Sequence, residues 1–537
     1  MTIEKNEIAK KMQSVCKKIV DYVRETAVNT QDEKKHTCFA VGVCLLSAIV
    51  CLTICSQSSF LYPINSWVDS NCFFTVGKAM MNGKVVYRDI YEQKGILLYF
   101  VHGICWLISN DTFIGVFFVE LLASFFFLFY SYKTLRLYCG RTALFAIPVL
   151  SALIYSSYSF VIGDSAEELC LPFFSYGLYV SLNALQKKKP VSFRQSIIIG
   201  ITSGAVLWTK FTMLGFYIGG AIVPLMMLLI NKKFKKFFST CLGIVLGVVT
   251  ITMPFFIYFA VNGALGDWFK VYFYNNMFLY SGNKMNFLQS VRFTFSAASW
   301  NIPLNKRFSY LIIIGVIYAL LFFRVSEKLH LILTLLFTNI FIYIGGNAYL
   351  YYYFAESAFA LFGIIIFVRL FELLAGLIKK EPAKVLKNFL QVTVVLCLLV
   401  GSGFFSYNKS MNVHMMGVEK ESLPQYRFAN IINKKDNAKL LNYYWLDGGF
   451  YTVANIVPDC KFFCRLNMTG LPEMDETQNK WLDDGIPDFV VTCGFPLYHK
   501  NYKVIDKCSM INFFYDTETY YLAQRIEKIG DQKNAEE

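Results

Sequence analysis

Long apolar runs separated by short basic clusters occupy the first four hundred residues of the chain. A helix needs about 20 apolar residues to cross a bilayer. Runs near 38–55, 112–132, 142–162, 169–185, 195–209, 213–230, 238–261, 308–323, 329–344, 357–371 and 388–405 predict eleven such helices. A twelfth apolar run, 96–109, has only 14 residues and contains His102 and Gly103, so it is expected to form a juxtamembrane or partly inserted helix that does not cross. Charge agrees with that choice. Leaving 96–109 out of the count puts the basic connections 133–141, 187–194, 231–236, 324–328 and 372–387 on one side, which the excess of Lys and Arg marks as cytoplasmic.

The two ends of the chain have different patterns. Ile8, Met12, Val15, Ile19 and Val23 recur at helical spacing beside Lys10, Lys11, Lys17 and Lys18, which predicts an amphipathic helix on the inner leaflet. After residue 408 the sequence reads as a small α/β domain, with short strands expected at 439–445, 462–465 and 488–493 and a helical or turn segment at 476–482. Three domains follow: a cytoplasmic amphipathic segment, 1–37; a polytopic all-α membrane domain, 38–408; and an extracytoplasmic α/β domain, 409–537. The protein is thus expected in the cell membrane, with its N-terminus cytoplasmic and its C-terminal domain outside.

Composition narrows the class further. The chain is 55% hydrophobic, 17% aromatic and 16% charged, far from a soluble average. A net charge of +14 would ordinarily raise nucleic acid as a partner, but the basic residues cluster between apolar runs and mark topology instead. Among the 15 cysteines no metal-ligand spacing stands out, and Cys460-x3-Cys464 without histidine defines no zinc site.

Candidate chemistry concentrates on the outer side. Directly after the first span come Trp67-Val68-Asp69-Ser70, then Gly77-Lys78, Gly83, Tyr87-Arg88-Asp89 and Tyr91-Glu92-Gln93-Lys94-Gly95. The topology puts the turn containing Asp164, Glu167 and Glu168 on the same side as Asp69. Two acidic loops meeting at a membrane surface suit a general base and an oriented acceptor, and are compatible with a divalent cation. Arg88, Lys94 and Lys210, the last in Trp208-Thr209-Lys210-Phe211, supply complementary charge for a phosphate leaving group. In the long outer loop 262–307, Trp268, Tyr272, Tyr274, Phe278 and Tyr280 suit interfacial helices around a lipid-facing opening.

These motifs carry a family resemblance. Asp69-x3-Phe73-x3-Gly77-x2-Met80-x2-Gly83, followed by Tyr87-Arg88-Asp89 and Gln93-Lys94-Gly95, resembles the first outer loop of the GT-C superfamily of polyprenyl-phosphate-dependent glycosyltransferases. The likeness is greatest to bacterial relatives of the protein O-mannosyltransferases and the lipid A aminoarabinose transferases. It implies Asp69 as the catalytic carboxylate, Asp164 with Glu167 and Glu168 as the second acidic motif on the acceptor side, and Lys94 and Lys210 as contacts to the lipid phosphate. Arg88, Asp89 and Glu92 would support the first loop. The implied reaction is inverting transfer of a hexose or pentose from a polyprenyl-phosphate donor to an extracytoplasmic acceptor, such as a cell-wall polymer of the teichoic acid type, a lipid or a protein. Three departures stand out: Gly95 where many relatives have proline, Gln93 where many have Glu, and Tyr351-Tyr352-Tyr353-Phe354 where some place a histidine.

A polytopic transporter or lipid flippase is the competing class. It would carry charges near the bilayer midplane and show repeat symmetry. The sequence has no detectable internal repeat.

Overall fold

The structure, a computed structural model, describes residues 33–280, 285–376, 384–468 and 470–526. The amphipathic helix expected near the N-terminus falls almost wholly on residues outside that set. Fourteen helices build the membrane part: α1 Glu33–Cys55, α2 Val68–Met81, α3 Ile96–Ile108, α4 Ile114–Cys139, α5 Ala146–Tyr155, α6 Ala166–Lys187, α7 Phe193–Thr209, α8 Gly215–Ile230, α9 Phe234–Val261, α10 Phe287–Leu304, α11 Lys306–Phe322, α12 Val325–Tyr343, α13 Leu361–Gly376 and α14 Lys384–Lys409. Short helical turns fill residues 265–278, and a run of 3-10 turns, Leu350–Phe359, leads into α13.

Among the described residues, six helices are long and apolar enough to cross a membrane on their own, and the number of spans rises to eight if each of two bent pairs counts as one. The eleven expected from sequence are not reached by this measure, for identifiable reasons. Helix α5 has 10 residues and α7 has 17, while α6 is long enough but is diluted by Glu167, Glu168, Ser175, Ser181, Asn183 and Gln186. Helix α10 turns by 117° into α11. That bend accounts for the interfacial helix expected in the long outer loop.

The 13 residues of α3 extend about 20 Å, short of the roughly 30 Å hydrocarbon core. It packs on α2 instead, and their contact is tight at Gly77, where a Cβ would stand 2.5 Å from the backbone nitrogen of Gly103. Ten residues of α2, Ser70 to Ala79, are buried, because the face turned away from α3 meets the C-terminal domain. There Lys78 Nζ donates to Tyr451 O (2.6 Å), Thr75 Oγ1 donates to Asp447 Oδ2 (2.6 Å), and Thr452 Oγ1 donates to Asn71 Oδ1 (3.1 Å). Asp447 also accepts from Asn442 Nδ2 (3.1 Å) and from the Gly449 amide (2.9 Å). Lys78 and Asp447 thus form a buried polar junction between α2 and the C-terminal domain, each with hydrogen-bond partners, as burial of polar groups requires.

The C-terminal domain holds a four-stranded sheet in the order β1-β2-β4-β3, with β1 Leu440–Asn442, β2 Phe489–Cys493, β3 Tyr502–Ile511 and β4 Thr517–Arg525. β1 and β2 pair in parallel, and β4 pairs antiparallel with both β2 and β3. All five residues of β2 are buried, as befits a central strand, while β3 alternates along an exposed edge. Two strand expectations hold in shortened form, at 439–445 and 488–493. The third does not: residues 462–465 lie beside β1 through Asn442 N to Phe463 O (3.3 Å) and Arg465 N to Trp445 O (2.8 Å), without forming a ladder. The hairpin β3–β4 was not anticipated, since its polar edge lacks the apolar alternation that marks a half-buried strand.

Candidate active site

Asp69 lies in the first turn of α2, where the helix dipole favours a carboxylate. It is half-buried, and Tyr351 Oη donates to its Oδ2 at 2.9 Å. The Tyr351 ring is held edge-on to Trp67, with centroids 5.0 Å apart. The residue that opens α2 and the tyrosine run before α13 therefore meet at one point.

Lys94 reaches the same place by a different route. The Gly95 amide donates to Thr209 O (3.1 Å), and a Cβ on Gly95 would stand 1.9 Å from Trp208 O. Only glycine satisfies both conditions here, because proline has no N–H and any larger residue collides with the end of α7. The departure from the proline of relatives thus seats Lys94 directly beside Lys210. Glu92, itself buried, accepts from the Lys94 amide (2.8 Å) and from Tyr99 Oη. Burial pushes the Glu92 carboxyl above its ordinary range. The Lys94 ammonium lies 5.6 Å from the Phe73 ring centroid and has no carboxylate within ion-pair distance among the described residues. Burial opposes its charge, but the nearby carboxylates of Asp69 and then Glu92 outweigh it and hold the pKa above the usual lysine value.

Lys210 ends α7. Its Nζ is 2.5 Å from Glu167 Oε1 and sits 3.5 Å from the centroid of the Tyr352 ring, with the Tyr351 ring 5.4 Å away. Lys94, Lys210 and Tyr352 line one cavity of about 440 Å³. Its polar wall includes Gln93 Oε1 and Thr212 Oγ1, both buried without a hydrogen-bond partner. Its other wall is apolar and ends in the exposed side chains of Met277 and Ile344. The arrangement provides two cations and unsatisfied polar groups against an apolar channel, which suits an anionic head group on a hydrocarbon tail.

The remaining candidates go elsewhere. Asp164 is wholly buried and bonded to Ser70 Oγ and to His102 Nε2 (2.9 Å), so it does not face the cavity. Its own amide donates to Glu120 Oε1 and Glu168 Oε2, both at 2.9 Å. Glu168 therefore braces the turn, and of the three acids only Glu167 reaches a cavity residue. Arg88 is exposed and pairs with Asp89 (2.8 Å) and the Asn262 carbonyl (2.6 Å). That hydrogen bond from Arg88 holds the Asp89 carboxyl below its ordinary value. The pair braces the surface of the first loop, away from Lys94. Among the described residues no cluster of three or more His, Cys, Asp or Glu side chains is arranged to hold a metal ion.

Sequence reasoning missed Tyr351 and Tyr352, noted only as a departure, and missed Glu120, whose carboxylate accepts from Ser56 Oγ (2.8 Å) inside an otherwise apolar run. The first two had a signal in their aromatic run within an outer loop. Glu120 had none.

The site and fold together describe a many-helix membrane protein with an acidic helix start after its first span, two lysines on one cavity and a small C-terminal sheet. No family model matches the chain, and no curated protein matches it. Among solved structures, ArnT from Cupriavidus metallidurans bound to undecaprenyl phosphate superposes with a TM-score of 0.59 at 14% identity, over 90% of this chain and 97% of that one. ArnT from the same organism in the apo state gives 0.55 at 12% identity, with the same coverage. At such identity the likeness concerns the fold: the chain has the GT-C fold of ArnT over nearly its whole length.

Proposed function

We propose that the protein is an inverting membrane glycosyltransferase that moves a sugar from a polyprenyl-phosphate donor to an extracytoplasmic acceptor. The observation that carries this reading is the pair of ammonium groups, Lys94 and Lys210, on one cavity with an apolar wall, beside the carboxylate of Asp69. ArnT binding undecaprenyl phosphate within the same fold supports the donor class.

In this reading the acceptor hydroxyl attacks the anomeric carbon while the bond from that carbon to the phosphate oxygen breaks. Asp69 takes the acceptor proton, and Tyr351 orients its Oδ2. The bonding electrons leave with the phosphate, whose growing charge is met by Lys94 and Lys210. Phosphate is a competent leaving group, so no general acid is required. Glu167 holds Lys210 in place until the donor phosphate arrives, and the apolar wall receives the first prenyl units. The acceptor approaches from the side of the C-terminal domain.

The test uses membranes containing the full chain and a panel of polyprenyl-phosphate sugars. One donor is expected to yield free polyprenyl phosphate, and the yield is expected to vanish in Asp69→Asn. Movement of the intact donor across sealed vesicles, with no phosphate released from any sugar, would establish a flippase instead.

A further inference from the structure

Helix α6, which carries Glu167 near its start, also lines a second cavity at its opposite end, together with α8 and α9. From Glu167 to Lys188, α6 and its cap rise about 30 Å, so this cavity opens at the other membrane face. Its mouth, about 350 Å³, is lined by Lys188, Lys189 and Lys233. It shares Val191, Pro224, Leu225 and Thr240 with a narrow, almost wholly apolar slot that runs inward to Ser181 and His330. The two are parts of one groove between α6, α8 and α9, with Ile199 of α7 and His330 of α12 reaching its inner part.

The local sequence explains the space. Gly177 on α6 and Gly220 and Ala221 on α8 present no bulk to the slot. Pro224 inside α8 has no N–H, so the Gly220 carbonyl loses its usual helix partner and the helix backbone opens beside the groove. At the inner end Ser181 Oγ and His330 Nε2 are hydrogen-bonded at 2.7 Å, while His330 Nδ1 is buried without a hydrogen-bond partner, so the slot is apolar up to that one nitrogen.

Charge at the mouth is uncompensated. None of the ammonium groups of Lys188, Lys189 and Lys233 is within ion-pair distance of a carboxylate among the described residues. The sequence has no acidic residue at all between Glu168 and Asp267. Three cations at the bilayer surface, continuous with an apolar slot that runs into the hydrocarbon layer, have the chemistry of a lipid site and not of a protein-binding surface.

The geometry points to a binding site for a membrane phospholipid with an anionic phosphodiester head group, the phosphate between Lys188, Lys189 and Lys233 and one acyl chain in the slot toward His330. The site lies in the leaflet opposite the lysine pair of Lys94 and Lys210. It stands independently of the transfer reaction.

The full chain, reconstituted in phosphatidylcholine nanodiscs doped with phosphatidylglycerol and then released in neutral detergent, is examined by native mass spectrometry. The expected result is retained phosphatidylglycerol. Three surface lysines together are worth a loss on the order of 100-fold in apparent affinity when replaced, as Lys188→Gln, Lys189→Gln and Lys233→Gln in one chain. Gly220→Leu leaves every charge in place but fills the slot, where a Cβ would stand 3.7 Å from Thr334 Oγ1 and 3.8 Å from His330 Cε1, and is expected to reduce retention as well. Thermal unfolding in pure phosphatidylcholine checks that both variants are folded. Equal retention by the lysine variant, or by Gly220→Leu, would overturn the site. So would displacement of the lipid by glycerol 1-phosphate, which has the head-group charge without chains.

Discussion

Two carboxylates, Asp69 and Asp164, meet at a common residue, Ser70, which follows the first in the chain and donates to the second, yet their surroundings differ in kind. Asp164 is wholly buried, and its oxygens are taken by Ser70 and His102. Asp69 is half-buried, has one tyrosine hydroxyl on it, and acts electrostatically on Lys94 and Lys210. A carboxylate with all its valences spent on the protein holds the fold. One that is half-buried with a single tyrosine hydroxyl on it is the one proposed to meet the acceptor. Glu167 stands between the cases, because its Oε1 is paired to Lys210 while its Oε2 is buried without a partner.

The comparison breaks most sharply at Asp69. Asp69→Asn keeps shape and removes basicity, so transfer is expected to fall about 100- to 10,000-fold with normal abundance and near-normal donor binding. Initial rates normalised to protein in the membrane check this, and a parental rate would make Asp69 structural. Asp164→Leu is the counterpart. Breaking its buried bonds to Ser70 and His102 is expected to cost about 3–5 kcal/mol of stability, seen as a lower unfolding temperature and reduced abundance. If that variant instead accumulates and unfolds normally but transfers nothing, Asp164 belongs to the reaction and the contrast fails.

Lys210 offers a finer test. Lys210→Met combined with Glu167→Gln removes the cation without stranding a buried carboxylate, and the donor KM is expected to rise about tenfold with a smaller change in kcat. An unchanged KM would leave Lys210 as a partner for Glu167 alone. The smallest effect is expected at Arg88→Ala. Its guanidinium is exposed and paired only at the surface, so abundance and transfer should stay within about twofold of the parent in side-by-side assays. A large loss of transfer would bring the first-loop surface into the site.

How far each of these positions was legible in the sequence depends on how local its information is. Apolar run lengths and basic clusters are properties of neighbouring residues, and they sufficed for a multi-pass protein with a charged loop after its first span and a C-terminal α/β domain. The loop motifs around Asp69, Lys94 and Lys210 were likewise readable, because the spacing of glycines and charges is itself local. The number of spanning helices was less so: α6 carries polar residues that only its packing partners accommodate.

Side-chain partnership was not legible. Asp164 and His102 are 62 positions apart, Tyr351 and Asp69 are 282 apart, and Lys78 and Tyr451 are 373 apart. Sequence pattern put Asp69, Asp164, Glu167 and Glu168 on one side of the membrane, and Lys78 in a charged loop. Only the tertiary structure decided that Asp164 and Glu168 turn inward, that Glu167 meets Lys210, and that Lys78 is buried against the C-terminal domain. Membrane topology follows from the transfer free energy of each segment by itself, whereas the role of a charge follows from which distant groups share its burial, and that is settled only when the chain packs.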